Sequence, residues 1–243
     1  MVITSVNNEK IKEMVKLHDK KNRDNTNLFI IEGEHLVNEA LKYHLVTTTF
    51  VVEGYQFAFD IDTYEVSDNV MHKLSNNKSI PKILGICHKQ EPREIKGNVL
   101  ILDDIGDPGN LGTIIRSGVA FNIDTIIISP NSVDLYNEKV IRSTQGNIFH
   151  INIIRTDLLP IIKDLKQKGY TIIGSDVHDG QDIGNINHNN YALIMGSEGS
   201  GISKEVLKSC DVKAKIRMNN KCESLNVGVA TGILLYELSR GRL

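Results

Sequence analysis

The second part of the chain alternates short apolar runs, rich in β-branched residues, with stretches of helical character. The runs are VLILDD at 99–104, TIIIS at 125–129, HINII at 150–154, TIIGSD at 171–176, YALIMG at 191–196 and VKAKI at 212–216. Strands that are apolar on both faces and separated by helices are typical of a parallel sheet covered on both sides. We therefore predict an α/β fold with a mostly parallel sheet.

The first part of the chain shows a smaller set of the same elements. Strand-like runs occur at 29–33, 48–53 and 82–89, and a helix-like stretch, HLVNEALKY, follows the first of them. The segment QEPREIKGN at 90–98 is polar and contains proline and glycine, which is typical of a linker. We predict a small α/β domain at 1–92 and a larger domain at 98–243.

Composition indicates an ordinary globular protein, with 40% hydrophobic and 24% charged residues and a formal net charge of -2. This charge excludes a uniformly basic nucleic-acid binder, but it conceals local basic regions. Residues 7–24 predict an amphipathic helix with a basic face, and a second basic run covers 73–96. The first run contains Lys10, Lys12, Lys16, Lys20, Lys21 and Arg23, and the second contains Lys73, Lys78, Lys82, Lys89, Arg93 and Lys96. Both runs are candidates for contact with a nucleic-acid backbone, or they are solvated surface.

Other sequence features exclude several classes of protein. Cys87, Cys210 and Cys222 are odd in number and far apart, so we expect free thiols and neither a disulfide framework nor a metal site. No apolar run approaches the roughly 18 residues that a membrane span needs. The N-terminus lacks the layout of a signal peptide, so we expect a cytoplasmic protein without a membrane partner.

Ligands of parallel sheets bind beyond the carboxyl ends of the strands, so the turns that leave the strands are the candidate sites. The turn at 105–112, IGDPGNLG, matches neither the dinucleotide nor the P-loop glycine spacing. Asn110 suits the N-cap of a helix predicted at 111–121. Arg116 on that helix lies between Gly112 and Ala120, which leaves room for a phosphate or a carboxylate. The alternative is an ordinary exposed arginine.

The turn at 196–201, GSEGSG, follows an apolar strand and places Glu198 among three glycines, which permit close approach of a ligand to the backbone. Ser203 suits the N-cap of the helix that follows. A weaker candidate is His178, which could act as a base but fits an ordinary loop residue better.

The stretch at 216–240, IRMNNKCESLNVGVATGILLYELSR, joins a polar loop to the most continuously apolar helix of the chain. The pair Asn219 and Asn220 tolerates left-handed backbone and predicts a turn. Glu223, Ser224 and Asn226 crowd the start of a helix that begins at Val227 and has almost no polar face, so we predict a buried helix. These polar groups must be satisfied locally or held for a ligand. On the first alternative, Ser224 is only an N-cap.

Three of these segments, in this order, resemble the SpoU (TrmH-like) family of RNA ribose 2'-O-methyltransferases. They are NLGTIIRSGVAF with Asn110 and Arg116, ALIMGSEGSGIS with Glu198, and IRMNNKCESLNVGVA with Glu223, Ser224 and Asn226. Residues 7–53 also resemble the substrate-binding domain that precedes the catalytic domain in many members. The resemblance implies a trefoil knot in the C-terminal domain, S-adenosylmethionine bound at the knot without a metal, and a homodimer.

The resemblance also implies roles for individual residues. The main chain around Gly196, Ile216 and Leu225 would hold S-adenosylmethionine, with Met195, Ser197 and Asn226 beside them. The reacting centre would be surrounded by Asn110, Arg116, Glu198, Ser224 and Asn226. The basic residues of 7–24, together with Arg116, would contact RNA. Because a guanidinium with a pKa above about 12 rarely releases its proton, we expect Arg116 to bind phosphate rather than to act as the base, which stays open.

The sequence departs from the family pattern at three positions and leaves the substrate open. Arg217 replaces a proline, Asn220 a glycine and Gly228 a common serine. Asn220 can keep a left-handed turn, and Arg217 either adds positive charge toward RNA or lies in solvent. The two-domain layout favours ribosomal (23S) RNA by analogy. The alternatives are a tRNA ribose 2'-O-methyltransferase and a non-catalytic RNA-binding protein that keeps the fold.

Overall fold

The computed structural model describes residues 2–57, 60–77, 79–177, 179–185 and 190–240, without the side chain of Asn185. Lys78 and His178, named above, lie outside the described residues. The strands are β1 (Leu28–Glu32), β2 (Val46–Val52), β3 (Thr63–Val66), β4 (Ile83–His88), β5 (Val99–Asp103), β6 (Thr125–Ile128), β7 (Asn152–Arg155), β8 (Thr171–Ser175), β9 (Gln181–Asp182), β10 (Tyr191–Gly196) and β11 (Val212–Lys215). The α-helices are α1 (Glu9–Val15), α2 (Lys20–Thr26), α3 (Glu34–Leu41), α4 (Asp68–Leu74), α5 (Pro108–Ala120), α6 (Glu138–Thr144), α7 (Leu158–Gln167), α8 (Lys204–Lys208) and α9 (Val227–Ser239).

The chain divides into two compact units. The first unit consists of Met1–Glu91 and Asp134–Phe149, and the second of Pro92–Val133 and His150–Leu243. The first unit therefore takes its last helix, α6, from the range that the sequence places in the larger domain.

The first unit is built on a sheet with the strand order β1-β4-β2-β3, in which β4 is antiparallel to both of its neighbours. Ile11, Phe50 and Leu84 lie in its core and are fully buried. The single helix expected at 7–24 is wrong, because a 3₁₀ turn at Lys16–His18 separates α1 from α2. The Asp19 side chain accepts from the Lys21 amide and begins α2. Neither strand β3 nor helix α4 is predicted from the sequence.

The segment that contains α6 is joined to the rest of the first unit by polar contacts. The Arg23 guanidinium is buried, pairs with Asp134 at 2.6 Å and donates to the carbonyls of Leu17 and His18. His18 also bonds to Glu138, as does Asn76. Burial raises the pKa of Glu138, but the hydrogen bond and charge of His18 outweigh it, so that the net pKa lies below its ordinary value. These contacts make α6 an integral part of the unit.

The second unit contains a sheet of seven strands in the order β7-β6-β5-β10-β8-β11-β9, and all of its pairings are parallel. Central strand β10 is buried along its whole length, between β5 and β8. The predicted parallel α/β sheet is confirmed. Because β5 and β10 pair in register up to Asp103 and Gly196, their carboxyl ends lie side by side. The turns after these two strands therefore start from one edge of the sheet.

Helices α5 and α9 pack against each other beside this edge. A Cβ added at Gly228 would lie 3.1 Å from Cγ2 of Thr113, and the Phe121 and Tyr236 rings are 5.9 Å apart, edge to face. The close approach gives a physical reason for glycine at a position where the family commonly has serine. A side chain at 228 would crowd Thr113.

The three cysteines are free thiols, as expected. Burial raises the pKa of Cys87 far above its ordinary value and that of Cys210 to about 11, whereas Cys222 is exposed. Among the described residues, no helix has both the length and the apolarity required to cross a membrane.

Candidate active site

Helix α5 begins just after β5 and brings Asn110 to the edge of the sheet. Pro108 occupies the first turn, where a missing N–H costs nothing, and the Asp107 side chain accepts from the Asn110 amide at 2.9 Å. Asp107 is therefore the N-cap, and the prediction that Asn110 caps this helix is wrong. Asn110 lies inside the first turn, which leaves its own side chain available for other contacts.

Helix α9 begins at Val227, as predicted, but its cap is Asn226 and not Ser224. The Asn226 Oδ1 accepts from the backbone N–H groups of Gly228 at 3.0 Å and Val229 at 3.3 Å. Ser224 lies two residues earlier, is exposed, and has no side-chain hydrogen bond to any described residue. The interpretation of Ser224 as a cap is wrong, and its hydroxyl is open to a ligand.

Three predicted site residues meet at a single point. The Asn226 Nδ2 donates to Asn110 Oδ1 at 2.9 Å and to Glu198 Oε1 at 2.5 Å. Because Asn226 Oδ1 faces two backbone N–H groups, its Nδ2 must face the two oxygens, which fixes the orientation of the amide. The same bond turns the Asn110 Nδ2 away from Asn226. The cluster therefore joins residues from α5, from the loop after β10 and from the start of α9.

Glu198 is exposed, and no cation pairs with its carboxylate among the described residues. Its hydrogen bond connects it to Asn226, the N-cap of α9, a helix of 13 residues. The amino-terminal end of a helix carries partial positive charge and favours an anion. The carboxylate of Glu198 therefore lies next to the amino-terminal end of α9.

The loop that carries Glu198 closes on itself. Ser197 and Gly201 exchange two backbone hydrogen bonds of 3.1 and 3.0 Å, and the Ser197 and Ser200 hydroxyls are 2.7 Å apart. A Cβ at Gly196 would lie 2.0 Å from the carbonyl carbon of Gly201, so glycine is required there. Gly201 itself has φ +66°, the left-handed region that favours glycine. Gly196 and Gly201 are therefore required by the conformation of the loop.

Asp103 anchors the far end of this loop and is not among the residues predicted from the sequence. It is buried at the end of β5, and its Oδ2 accepts from the Ser203 amide at 2.7 Å. Ser203 is the N-cap of α8 by position, as predicted, although its side chain makes no capping bond. A buried acid at the last position of an apolar strand is the signal that could have identified Asp103.

The loop at 216–226 is fixed by a turn different from the one predicted. Asn219 Oδ1 accepts from the Lys221 amide at 3.0 Å, and its carbonyl accepts from the Cys222 amide at 2.9 Å. Neither Asn219 nor Asn220 is among the residues with positive φ, so the expected left-handed turn is wrong. Arg217 pairs with Asp182 at 2.8 Å, which ties the start of the loop to β9, and it remains largely exposed. Such a pair adds little stability.

The residues expected to hold S-adenosylmethionine lie at the end of β10 and at the two ends of the loop at 216–226. Met195 and Gly196 end β10, Ser197 follows them, and Ile216 and Leu225 lie half-buried at the two ends of the loop. No hydrogen bond to another described residue uses the main-chain groups of Ile216 or Leu225. Unpaired main-chain donors and acceptors suit a ligand with a nucleobase edge and a charged amino-acid end. The donor set therefore fits the co-substrate.

Arg116 lies on α5 away from this cluster. It is exposed, with a buried glycine one turn before it, and the described part of the chain offers it neither a carboxylate nor another hydrogen-bond partner. Within the same part of the chain, no three His, Cys, Asp or Glu side chains are grouped as metal ligands would be.

One face of α9 is uncovered. Val229, Ile233 and Tyr236 follow each other at helical spacing and are 50%, 37% and 51% exposed. The prediction of a helix buried on all sides is therefore wrong for a single chain. The uncovered stripe consists of large apolar groups, which rarely face water together without a partner.

Comparison with known proteins places the chain in a family. Residues 97–236 match the SpoU rRNA Methylase family, and residues 8–85 match the MRM3-like substrate binding domain. A relative from Bacillus subtilis, the 23S rRNA (guanosine(2553)-2'-O)-methyltransferase RlmP, is 36% identical over 97% of this chain and 98% of its own length.

Solved structures agree with this assignment. The AdoMet-bound rRNA methyltransferase from Sinorhizobium meliloti is 28% identical, with a TM-score of 0.89 over 100% of this chain and 98% of that one. An RNA 2'-O ribose methyltransferase is 27% identical, with a TM-score of 0.87 over 100% and 99%. The clustered Asn110, Glu198 and Asn226, the fold and these matches agree: the chain belongs to the SpoU family of RNA 2'-O-methyltransferases.

Proposed function

We propose that the protein transfers a methyl group from S-adenosylmethionine to a ribose 2'-hydroxyl of 23S ribosomal RNA. The observation that carries this proposal is the cluster of Asn110, Glu198 and Asn226 at the carboxyl ends of β5 and β10. The named activity of the Bacillus subtilis relative, which matches almost the whole chain, supports 23S RNA as the substrate.

S-adenosylmethionine, when bound, supplies a methyl group activated by its sulfonium, so the protein must orient the ribose hydroxyl and remove its proton. Gly196, Ile216 and Leu225 would hold this co-substrate through their main-chain groups, beside Met195 and Ser197. No metal is required for this chemistry.

We assign Glu198 as the group that accepts the proton. Of the five residues proposed to surround the reacting centre, Asn110 and Asn226 are amides, Arg116 is a guanidinium and Ser224 is an alcohol. A carboxylate alone among these groups accepts a proton in its ordinary state at neutral pH. One oxygen of Glu198 is held by Asn226, and the other has no partner among the described residues. Ser224 and the Asn110 amide are then available to orient the ribose.

Methylation of 23S RNA tests the proposal directly. RNA from a deletion strain and from its parent should differ at one ribose 2'-O-methyl site, and the purified protein should restore that site with S-adenosylmethionine. Restoration on tRNA instead would assign the substrate to tRNA. If neither RNA accepts a methyl group while calorimetry detects no bound S-adenosylmethionine, the protein is a non-catalytic member of the family.

We propose that exposed lysines of the first unit bind the RNA backbone. Lys12 and Lys16 lie one turn apart, and these two and Lys21 are exposed and make no ion pair with a described acidic residue. Lys20 is paired with Asp24, and Lys10 lies over the Tyr64 ring. Arg23 is removed from the predicted set because it is buried. Arg116 of the second unit, also exposed, is proposed to bind a phosphate of the target strand.

Replacing Lys12, Lys16 and Lys21 by Ala should lower the slope of log affinity against log salt by about 2, since each lost phosphate contact removes roughly 0.7 from it. Arg116→Ala should remove about one further contact. Binding titrations at several salt concentrations measure both. The control is the triple Ala variant of Lys163, Lys204 and Lys208, exposed lysines of the second unit. Equal slopes for the two triple variants would contradict the assignment.

We propose that the exposed stripe of α9 is the contact of a homodimer, because Val229, Ile233 and Tyr236 present an apolar surface along the helix that Asn226 caps. Light scattering should give the mass of two chains for the wild type and of one chain for Ile233→Glu. A wild-type mass of one chain at micromolar concentration would contradict this proposal.

We further propose that the C-terminal domain has the trefoil knot of the family and that the protein acts in the cytoplasm, where ribosomal RNA is modified.

A further inference from the structure

The Asn226 side chain uses its whole hydrogen-bonding capacity within the protein. Its oxygen accepts two backbone N–H groups, and its nitrogen donates to Asn110 at 2.9 Å and Glu198 at 2.5 Å. An amide has two N–H donors and two lone pairs, so none is left over. A ligand could reach Asn226 only by displacing one of these four partners. This distinguishes Asn226 from Ser224, whose hydroxyl is open.

Glu198 depends on Asn226 for its orientation. The carboxylate lies on an exposed loop between Ser197 and Gly199, and the bond to Asn226 is the one hydrogen bond of its side chain with a described residue. A side chain held by no other group would sample several rotamers. Fixing one oxygen fixes the direction of the other.

We infer that Asn226 is a positioning residue, which acts on methyl transfer through Glu198 and does not itself touch the substrate or S-adenosylmethionine. The inference rests on the proposed function, and it replaces the expectation that Asn226 is a catalytic or co-substrate-binding residue. It separates two tasks of one side chain. The oxygen caps the amino-terminal end of α9, and the nitrogen orients the carboxylate of Glu198, which accepts the proton.

The two tasks can be separated by substitution. Ser and Asp cap helices about as well as Asn, so both Asn226→Ser and Asn226→Asp keep the cap. Both lose the two hydrogen bonds that the amide nitrogen donates, and Asp can replace one of them only when it is protonated. We expect both variants to unfold at nearly the wild-type midpoint. Turnover of Asn226→Ser should fall about 10- to 100-fold, because a misplaced reacting group loses the advantage of orientation.

A double-mutant cycle shows whether Asn226 acts through Glu198. In a Glu198→Gln background there is no proton acceptor to aim, so adding Asn226→Ser should lower turnover by less than about threefold. If Asn226 contacts the substrate itself, the two losses multiply. Multiplied losses, or wild-type turnover in Asn226→Ser alone, would overturn the inference.

Asn226→Asp adds a readout that a merely structural role would not move. It places a second carboxylate against Glu198, and like charges at this distance raise the pKa of the pair. At about pH 8.5 both groups are ionised and repel each other, whereas near pH 6 one shared proton lets Asp donate to Glu198 as the amide did. The turnover of this variant relative to wild type should be about tenfold higher near pH 6 than at about pH 8.5. The relative turnover of Asn226→Ser should stay flat, and a flat ratio for both variants would count against the inference.

Wild-type turnover in the same assay tests the proposed function separately. If the wild type transfers no methyl group, the proposed function fails, and an NMR titration of the Glu198 carboxyl carbon then tests the contact with Asn226 on which the inference rests. A raised pKa of Glu198 in Asn226→Asp supports the contact. An unchanged pKa overturns it.

Discussion

Replacing Glu198 by Gln should lower the single-turnover rate of methyl transfer about 10²- to 10⁴-fold, the range lost when a positioned general base is removed. The amide oxygen of Gln can still accept from Asn226 Nδ2, so the loop after β10 keeps its anchor. S-adenosylmethionine affinity, measured by calorimetry, and the unfolding midpoint should therefore remain near wild type. The loss should lie in the chemical step, which single-turnover measurements with saturating RNA isolate.

Glu223→Gln is the matched control for this substitution. Glu223 is also an exposed carboxylate, it lies three residues before Asn226, and the change has the same size and charge. It should retain turnover within a few-fold of wild type. If Glu198→Gln also stays within a few-fold, Glu198 is not the proton acceptor and the base must come from another group, such as a phosphate of the RNA.

Gly196→Ala should destabilise the second unit by about 3 kcal/mol and abolish measurable binding of S-adenosylmethionine. The added Cβ would lie 2.0 Å from the Gly201 carbonyl carbon and 2.1 Å from the Ile202 nitrogen. These are backbone atoms, so no side-chain rotation can relieve the clash. The loop must move away from β10, which separates Glu198 from Asn226. Thermal unfolding and calorimetry measure the two effects.

Gly199→Ala provides the comparison for Gly196→Ala within the same loop. No atom lies within 4 Å of a Cβ at this position, and Gly199 is not among the glycines with positive φ. We expect normal stability, because alanine also restricts the unfolded chain slightly more than glycine does. Similar losses in both variants would show that the loop is intolerant of any substitution, and not that Gly196 is specifically required.

The sheet of the second unit was predictable because its strands are apolar on both faces and leave a continuous signal. The sequence predicts which residues belong to the site, but it does not predict which of them contact each other. Asn110 fitted a helix cap or a ligand group, and Ser224, not Asn226, was the predicted cap of α9. Sequence spacing does not reveal that α5 starts at Pro108, three residues before the predicted start at Leu111. The hydrogen bond between the Asn110 and Asn226 side chains connects residues far apart in the chain, which only the fold brings together.

Other features depend on tertiary partners that the sequence does not display. Arg23 had the same appearance as its lysine neighbours, but Asp134 supplies a buried counter-ion from a distant segment. The turn is held by the side chain of Asn219, whereas the family pattern places a glycine at the next position, 220. The exposed face of α9 was predicted to be buried. An apolar sequence predicts burial, but it does not indicate whether the residues that bury the helix come from the same chain or from another one.

The membership of α6 in the first unit has a consequence for synthesis on the ribosome. The unit cannot be complete until Phe149 has left the exit tunnel, although its sheet ends at His88. During the intervening synthesis, the buried guanidinium of Arg23 has no Asp134 to neutralise it, and Phe29 lacks the Tyr136 ring that it contacts at 4.6 Å. Domains that fold as units during translation usually do so from the amino terminus. The first unit, in contrast, can fold completely only after Pro92–Val133 of the second unit has also been synthesised.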